Sequence, residues 1–370
     1  MIFGRTFGGR LDEVGHSMLQ TFDGGFVIVG MTGSYGAGSN DVWLIKISAA
    51  GEEEWNRTYG GTLWDEGFSV QQTADSGYVI TGITESYGAG DYDVWLIKLN
   101  AEGSEEWTRT FGGGLWDGAA SVCQTSDGGY ILTGYTDSFG EGPGDVWLIK
   151  TDSDGREVWN RTYGGSGWDG GRSVLQTSEG GYIVAGYTES YRVKGYDVWL
   201  LKVEASGDTI WSRTHGGRGT NMAHAVAHTA DGGYIIAGRT DLLGTAGYDA
   251  LLIKTDPEGK EVWTRTFGGD QDDLANSVQQ TSDNGFIIVG YTYSYGAGMS
   301  DIWLIKTDAE GTESWTRTYG EAYRDVGHSA LQTADSGYVI VGNTESFSAG
   351  DYDIWFIRTN AEGNPMGGAE

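Results

Sequence analysis

The motif Arg-Thr, then an aromatic residue or histidine, then glycine, recurs at Arg5, Arg57, Arg109, Arg161, Arg213, Arg265 and Arg317. Each copy lies 52 residues from the last, with no insertion or deletion, and the array fills the whole chain of 370 residues. Self-similarity at a fixed period confines the chain to repeat architectures, because one unit cannot bury its apolar face without a neighbour. Length alone would suggest two domains; the unbroken period instead predicts a single domain over residues 1–370.

Four segments of each repeat read as strands. In the second repeat they are SVQQT (69–73), YVITGIT (78–84), DVWLIKL (93–99) and EEWTRTF (105–111). They are rich in β-branched and aromatic residues, and DSG, SYGAG and AEG separate them as turn signals. Glycine is 64 of the 370 residues and proline only 3, while aromatics reach 13%. Disordered and collagen-like chains are excluded by that balance. Four strands per repeat and seven repeats predict an all-β fold, a seven-bladed β-propeller of four-stranded blades. The last repeat stops at Gly363-Asn364-Pro365, where its fourth strand is due. Phe3 falls in the column of Trp55, Trp107, Trp159, Trp211, Trp263 and Trp315, so the N-terminal strand is expected to complete the last blade and cover its edge.

The stretch SYGAGDYDVWLIK (86–98) carries Gly88 and Gly90, which resemble the start of a phosphate-cradling loop. Such a loop needs a helix after it, and a strand follows here in every repeat. The glycines therefore read as turn residues. Asp93 recurs as Asp41, Asp145, Asp197, Asp249, Asp301 and Asp353, which marks it as a turn or strand cap rather than a cation ligand.

Residues 112–138, with Gly112, Asp117, Ser121, Gln124, Asp127, Gly134 and Thr136, resemble the seven-bladed β-propeller repeat families of bacterial and archaeal secreted and surface proteins. The resemblance covers the whole chain. It implies the propeller fold and display outside the cell or in its envelope. The regular period also resembles a recently amplified or engineered array.

Two tryptophan columns form the expected packing framework: the fourth-strand set above, and Trp43, Trp95, Trp147, Trp199, Trp303 and Trp355, with Leu251 breaking the second. Burying one indole contributes roughly 4–6 kcal/mol by area. The repeated basic residues (the seven motif arginines, with Lys46, Lys98, Lys150, Lys202, Lys254, Lys306 and Arg358) are expected to pair with repeated carboxylates such as Asp65, Asp117, Asp169, Asp273 and Asp325.

Function on a repetitive scaffold is sought where the copies differ. Differences concentrate in two loops, from the fourth strand to the next first strand and from the second strand to the third. Trp64–Asp65, Trp116–Asp117 and Trp168–Asp169 occupy one column of the first loop in consecutive repeats. Indole faces stack on sugar rings or on a protein partner, and the adjacent carboxylates would accept from hydroxyls. Arg172, Arg192, Lys194 and Arg218 fall in variable loops of the fourth and fifth repeats and form a second candidate, an anion site. His224 and His228 would be about 13 Å apart on a strand and cannot share a metal; no metal site and no cofactor is expected.

With a net charge of −29 the surface repels nucleic acid and anionic lipid. Cys123 alone forms no intrachain disulfide, and no segment is long and apolar enough for a membrane-spanning helix. No nucleophile elbow or metal-ligand cluster supports catalysis. The sequence thus predicts a monomeric, non-enzymatic binding propeller that takes a glycan or protein partner on its variable loops. The alternatives are a structural or engineered scaffold without a ligand, and a glycan-processing enzyme. Its place is extracellular or at the cell surface if an export signal has been removed, and otherwise cytoplasmic.

Overall fold

Seven four-stranded antiparallel sheets are present in the computed structural model, which describes residues 4–191, 195–217, 219–241 and 247–367. They are the blades of an all-β seven-bladed propeller. In the second blade, strand A is Asp65–Gln72, B is Tyr78–Thr84, C is Asp93–Leu99 and D is Glu105–Phe111, hydrogen-bonded in that order. The other blades repeat this order, apart from the seventh. The contacts divide the chain into two compact units, one from Ser17 to His215, the other of residues up to His16 together with those from Gly216 on.

Strand A starts four residues before the sequence suggests. It runs from Asp65 rather than residue 69, and its register shifts between Gly67 and Ser69. The bulge and the small residues ahead of it (Gly67, and Ala119 in the next blade) hide the strand from a propensity reading. Small residues are needed because the strand's start packs on the preceding blade: a Cβ on Gly67 would lie 2.8 Å from Val29 and 2.9 Å from Val42.

In the seventh blade, Asp325–Gln332, Tyr338–Thr344 and Asp353–Thr359 are joined by the N-terminal strand Arg5–Phe7. Arg5 pairs with Phe356 and Thr6 with Trp355, the register that Arg57 and Thr58 hold against Leu44 and Trp43 in the first blade. The predicted completion of the last blade is therefore present. Phe3, offered for the tryptophan column, lies outside the described residues.

The apolar core sits between sheets. One cluster joins Val79, Val94 and Leu96 of the second blade to Val122, Leu132 and Trp147 of the third; a similar one joins Val289 and Leu304 of the sixth to Ile340 and Trp355 of the seventh. The strand-D tryptophans extend this contact. Trp107 meets Tyr130 of the next blade edge-on at 5.9 Å, and Trp315 meets Tyr338 at 5.7 Å. Outer strands carry charge, such as Glu105 and Arg109, which discourages edge-to-edge pairing.

The basic framework pairs differently from expectation. Lys98 reaches Asp75 of the A–B turn at 3.0 Å and Glu106 at 2.9 Å, and Lys150 reaches Asp127 at 2.9 Å. Asp65 and its copies are not the partners, because they lie at the other end of strand A from that turn. The six motif arginines from Arg57 to Arg317 instead lie over the tryptophan two residues earlier, Arg109 over Trp107 at 5.1 Å.

Carboxylates also meet in pairs where blades join. Asp93 caps the SYGAG turn, its Oδ2 accepting from the Ala89 amide at 2.5 Å. Gly88, at φ +109°, is required there, since a Cβ would fall 1.9 Å from that oxygen. The remaining oxygen, Oδ1, is buried without a hydrogen-bond partner. It and Asp117 Oδ2 both crowd Gly112, at 1.6 and 3.0 Å from the point a Cβ would occupy. Asp145 with Asp169, and Asp301 with Asp325, repeat the arrangement around Gly164 and Gly320. Burial raises the carboxyls of Asp93 and Asp145 above their ordinary value and that of Asp301 to about 6, with the neighbouring acid adding to the effect.

Candidate binding loops

The D–A and B–C loops hold twelve of the seventeen large apolar side chains exposed among the described residues, including Leu63, Tyr87, Leu115, Phe139 and Tyr191 in one unit and Leu11, Tyr295 and Tyr323 in the other. Such concentration is unlike the scattered single exposures of an ordinary surface.

Of the three candidate tryptophans, Trp116 is 49% and Trp168 42% exposed, whereas Trp64 is half-buried. Their backbones are fixed to the preceding or following B–C loops. The Trp116 carbonyl accepts from Asp137 N–H at 2.9 Å, and the Trp168 carbonyl from Glu189 N–H at 2.8 Å. The Trp116 indole N–H donates to the exposed Asp91 carboxylate at 3.2 Å, and Tyr92 braces the ring edge-on at 5.1 Å. Trp64 donates to Glu66 at 3.0 Å. Trp168 lies over Gly144, where a Cβ would meet the ring at 2.8 Å.

Asp65, Asp117 and Asp169 do not serve as predicted. All three are buried, and their oxygens are taken internally. Asp117 accepts from the Thr136 hydroxyl and from the Gly113 amide at 2.7 Å; Asp65 accepts from the Thr84 hydroxyl and from the Gly61 amide at 2.8 Å. Asp169 accepts from Ser190 Oγ at 2.5 Å and from the Gly165 amide at 3.1 Å. They close the loops from beneath, as strand A's first residue must when the chain turns sharply into it. The carboxylates left beside the indoles are Asp91, Glu66 and Glu189, whose Oε2 accepts from the Trp168 amide at 3.3 Å.

Arg172 is exposed, its guanidinium 5.5 Å from the Tyr187 ring centre. Arg192, Lys194 and Arg218, the other members of the expected anion site, lie outside the described residues. The histidines disperse: His224 Nδ1 lies 3.0 Å from the Ala275 carbonyl, His228 stacks near Tyr234, and His16 meets His328 at 5.2 Å. Among the described residues no group of three His, Cys, Asp or Glu side chains could hold a metal ion.

Sequence reading missed one column. Tyr35, Tyr87, Phe139, Tyr191 and Tyr295 are each about half exposed in the B–C loop. Each stacks on the strand-C tryptophan of its own blade, Phe139 on Trp147 at 5.4 Å and Tyr295 on Trp303 at 5.6 Å. The signal was an aromatic residue recurring at one place in an otherwise small, polar loop.

No family model matches the chain. A curated relative, the regulatory protein FlaEY of Caulobacter vibrioides, is 27% identical over 287 residues, covering 63% of this chain and 30% of that protein. The chain thus spans less than a third of that relative's length. Among solved structures, puromycin hydrolase aligns over 97% of this chain and 55% of its own with TM-score 0.56 and 14% identity. Sqt1 from Chaetomium thermophilum aligns over 92% and 81% with TM-score 0.51 and 11% identity. At these identities the likeness concerns the fold.

Proposed function

We propose that this propeller is a non-catalytic binding module that holds an extended glycan across its D–A and B–C loops. The observation that carries the reading is the exposure of Trp116 and Trp168 at consecutive blade junctions, each backbone-anchored and each beside a carboxylate. An indole face takes the C–H side of a sugar ring, and Asp91 and Glu189 accept from its hydroxyls. One such contact is weak; several on one scaffold act together without further ordering cost. Display at a cell surface belongs to the same proposal, supported by the resemblance of the repeat to surface-protein propellers.

A glycan array probed with the intact chain tests the reading. Binding is expected to at least one oligosaccharide and to be lost in Trp116→Ala/Trp168→Ala, with the urea midpoint almost unchanged because both rings are substantially exposed. Binding that survives the double substitution, or a blank array, would refute it. A second reading, docking of a protein partner, is favoured by the aliphatic Leu63 and Leu115 in the same loops. It also draws support from a relative described as a regulatory protein. A blank array with a partner captured in a Trp116-dependent way would select it.

A further inference from the structure

Two clefts open between strand D of one blade and the next blade. The first, of about 520 Å³, lies between the second and third blades and is lined by Phe139, Trp147, Glu157, Asn160 and Arg161, among others. The second, of about 540 Å³, lies between the fifth and sixth blades, lined by Tyr295, Trp303, Glu313, Thr316 and Arg317, among others. Every lining residue of the second stands three repeats after its counterpart in the first. The cleft is therefore a product of the repeat, one in each compact unit. Its volume lies in the range of small-molecule sites.

The chemistry is mixed in a specific way. A half-exposed aromatic ring forms one wall and an indole the floor. The Trp147 N–H donates to Asn160 Oδ1 at 3.3 Å, and Asn160 Nδ2 donates to Glu157 at 2.7 Å, so the amide is held from both sides. Trp303 donates instead to the Thr316 hydroxyl. Arg161 and Arg317 each give one N–H to the preceding residue's carbonyl, at 3.0 and 2.7 Å. Arg109 and Arg265 are further tied across to the next blade, through Asp154 and Glu310 carbonyls at 2.8 and 2.9 Å. A guanidinium and a carboxylate four residues apart on one strand cancel in charge, which disfavours an anion or a cation. A flat apolar wall opposite alternating donors and acceptors suits a neutral ring carrying hydroxyls on its rim.

We infer that each of these clefts binds one neutral pyranose residue. This rests on the carbohydrate reading above but concerns a different site from the exposed tryptophans. The amide in one cleft and the hydroxyl in the other make two affinity classes.

The test titrates the intact, nitrogen-15-labelled chain with the methyl β-glycosides of glucose, galactose, mannose and N-acetylglucosamine and follows indole N–H resonances. At least one glycoside is expected to shift the resonances of Trp147 and Trp303 saturably, with different midpoints. Phe139→Ala, a change at an exposed ring, should weaken binding at the first cleft about tenfold, equivalent to about 1.4 kcal/mol, and leave Trp303 responding; Tyr295→Ala should do the reverse. Shifts confined to Trp64, Trp116 and Trp168 would overturn this inference while leaving the platform reading standing. No response to any of the four glycosides, at either set of tryptophans, would overturn the cleft inference, and with a blank array both readings fall.

Discussion

Replacing Asp301 by asparagine should stabilise the protein, by an amount that grows between about pH 4 and pH 6 and is complete above that. Asp301 is buried, its Oδ2 accepts one amide hydrogen bond from Ala297 at 2.7 Å, and its Oδ1 faces Asp325 Oδ2 across Gly320. Asp325 is better provided, with the Thr344 hydroxyl, Ser346 Oγ at 2.6 Å and the Glu321 amide at 3.2 Å. Two buried carboxylates so placed do not both ionise readily, and the one with fewer donors holds the proton. Burial, with Asp325 as a lesser cause, lifts Asp301 from its ordinary 3.8 to about 6. At about 1.4 kcal/mol per tenfold, the charged form is disfavoured by roughly 3 kcal/mol. The folded state binds the proton more tightly than the unfolded chain. Its stabilising share is complete below about pH 4 and is lost as pH rises through about 6. An amide retains the Ala297 bond and supplies a permanent donor toward Asp325. Urea unfolding of Asp301→Asn and the parent at pH 8 should differ by up to about 3 kcal/mol in favour of the variant; at pH 4 the two should coincide. A variant less stable at pH 8, or a difference that does not change with pH, would refute the reasoning. The chain already contains the substitution at a related position: Asn221 stands in the column of Asp65, its Oδ1 accepting from Thr240 at 2.7 Å.

The opposite limb comes from the A–B turns. Asp75, Asp127, Asp231 and Asp283 are held at about 2 by threonine, amide and lysine donors acting against burial, and the stability they contribute above pH 4 should fall away as pH drops toward 2. Melting temperature against pH should therefore peak in the mildly acidic range, and a maximum at or above pH 8 would contradict both carboxylate assignments. Deleting residues 1–9 should expose the edge of Asp353–Thr359 and lower the melting temperature or cause aggregation; an unchanged melting temperature would remove the closing role of Arg5–Phe7.

Most of the fold could be read from the chain because the 52-residue period samples the same environment seven times, so accidents in one copy are corrected by the others. The ends of strand A could not. Gly118 and Ala119 are poor strand formers, and only the close approach of the preceding blade explains them. The buried Asp column was misread for a related reason: an acid flanking a glycine-rich loop looks solvated, and its threonine and amide donors lie about twenty residues away or on backbone that sequence does not display. Tyr87 and Phe139 were hidden by their setting in SYGAG and SFGEG, where the glycines drew attention to the turn. What the period could not reveal was which repeated aromatic residues are covered and which stand half-open.

The N-terminal strand also fixes an order of events. Arg5–Phe7 is synthesised before the other strands of the propeller, yet its hydrogen-bonding partner Ile354–Phe356 emerges some 350 residues later. Until then the strand has no sheet to join, and closing so long a loop carries an entropic cost that local hairpins avoid. The six complete blades contain only neighbouring-strand pairings and can form as the chain appears. The seventh needs both Arg5–Phe7 and Asp353–Thr359. Folding of the propeller is therefore expected to finish with a slow, length-dependent step, in which Arg5–Phe7 is seated after the strands that follow it.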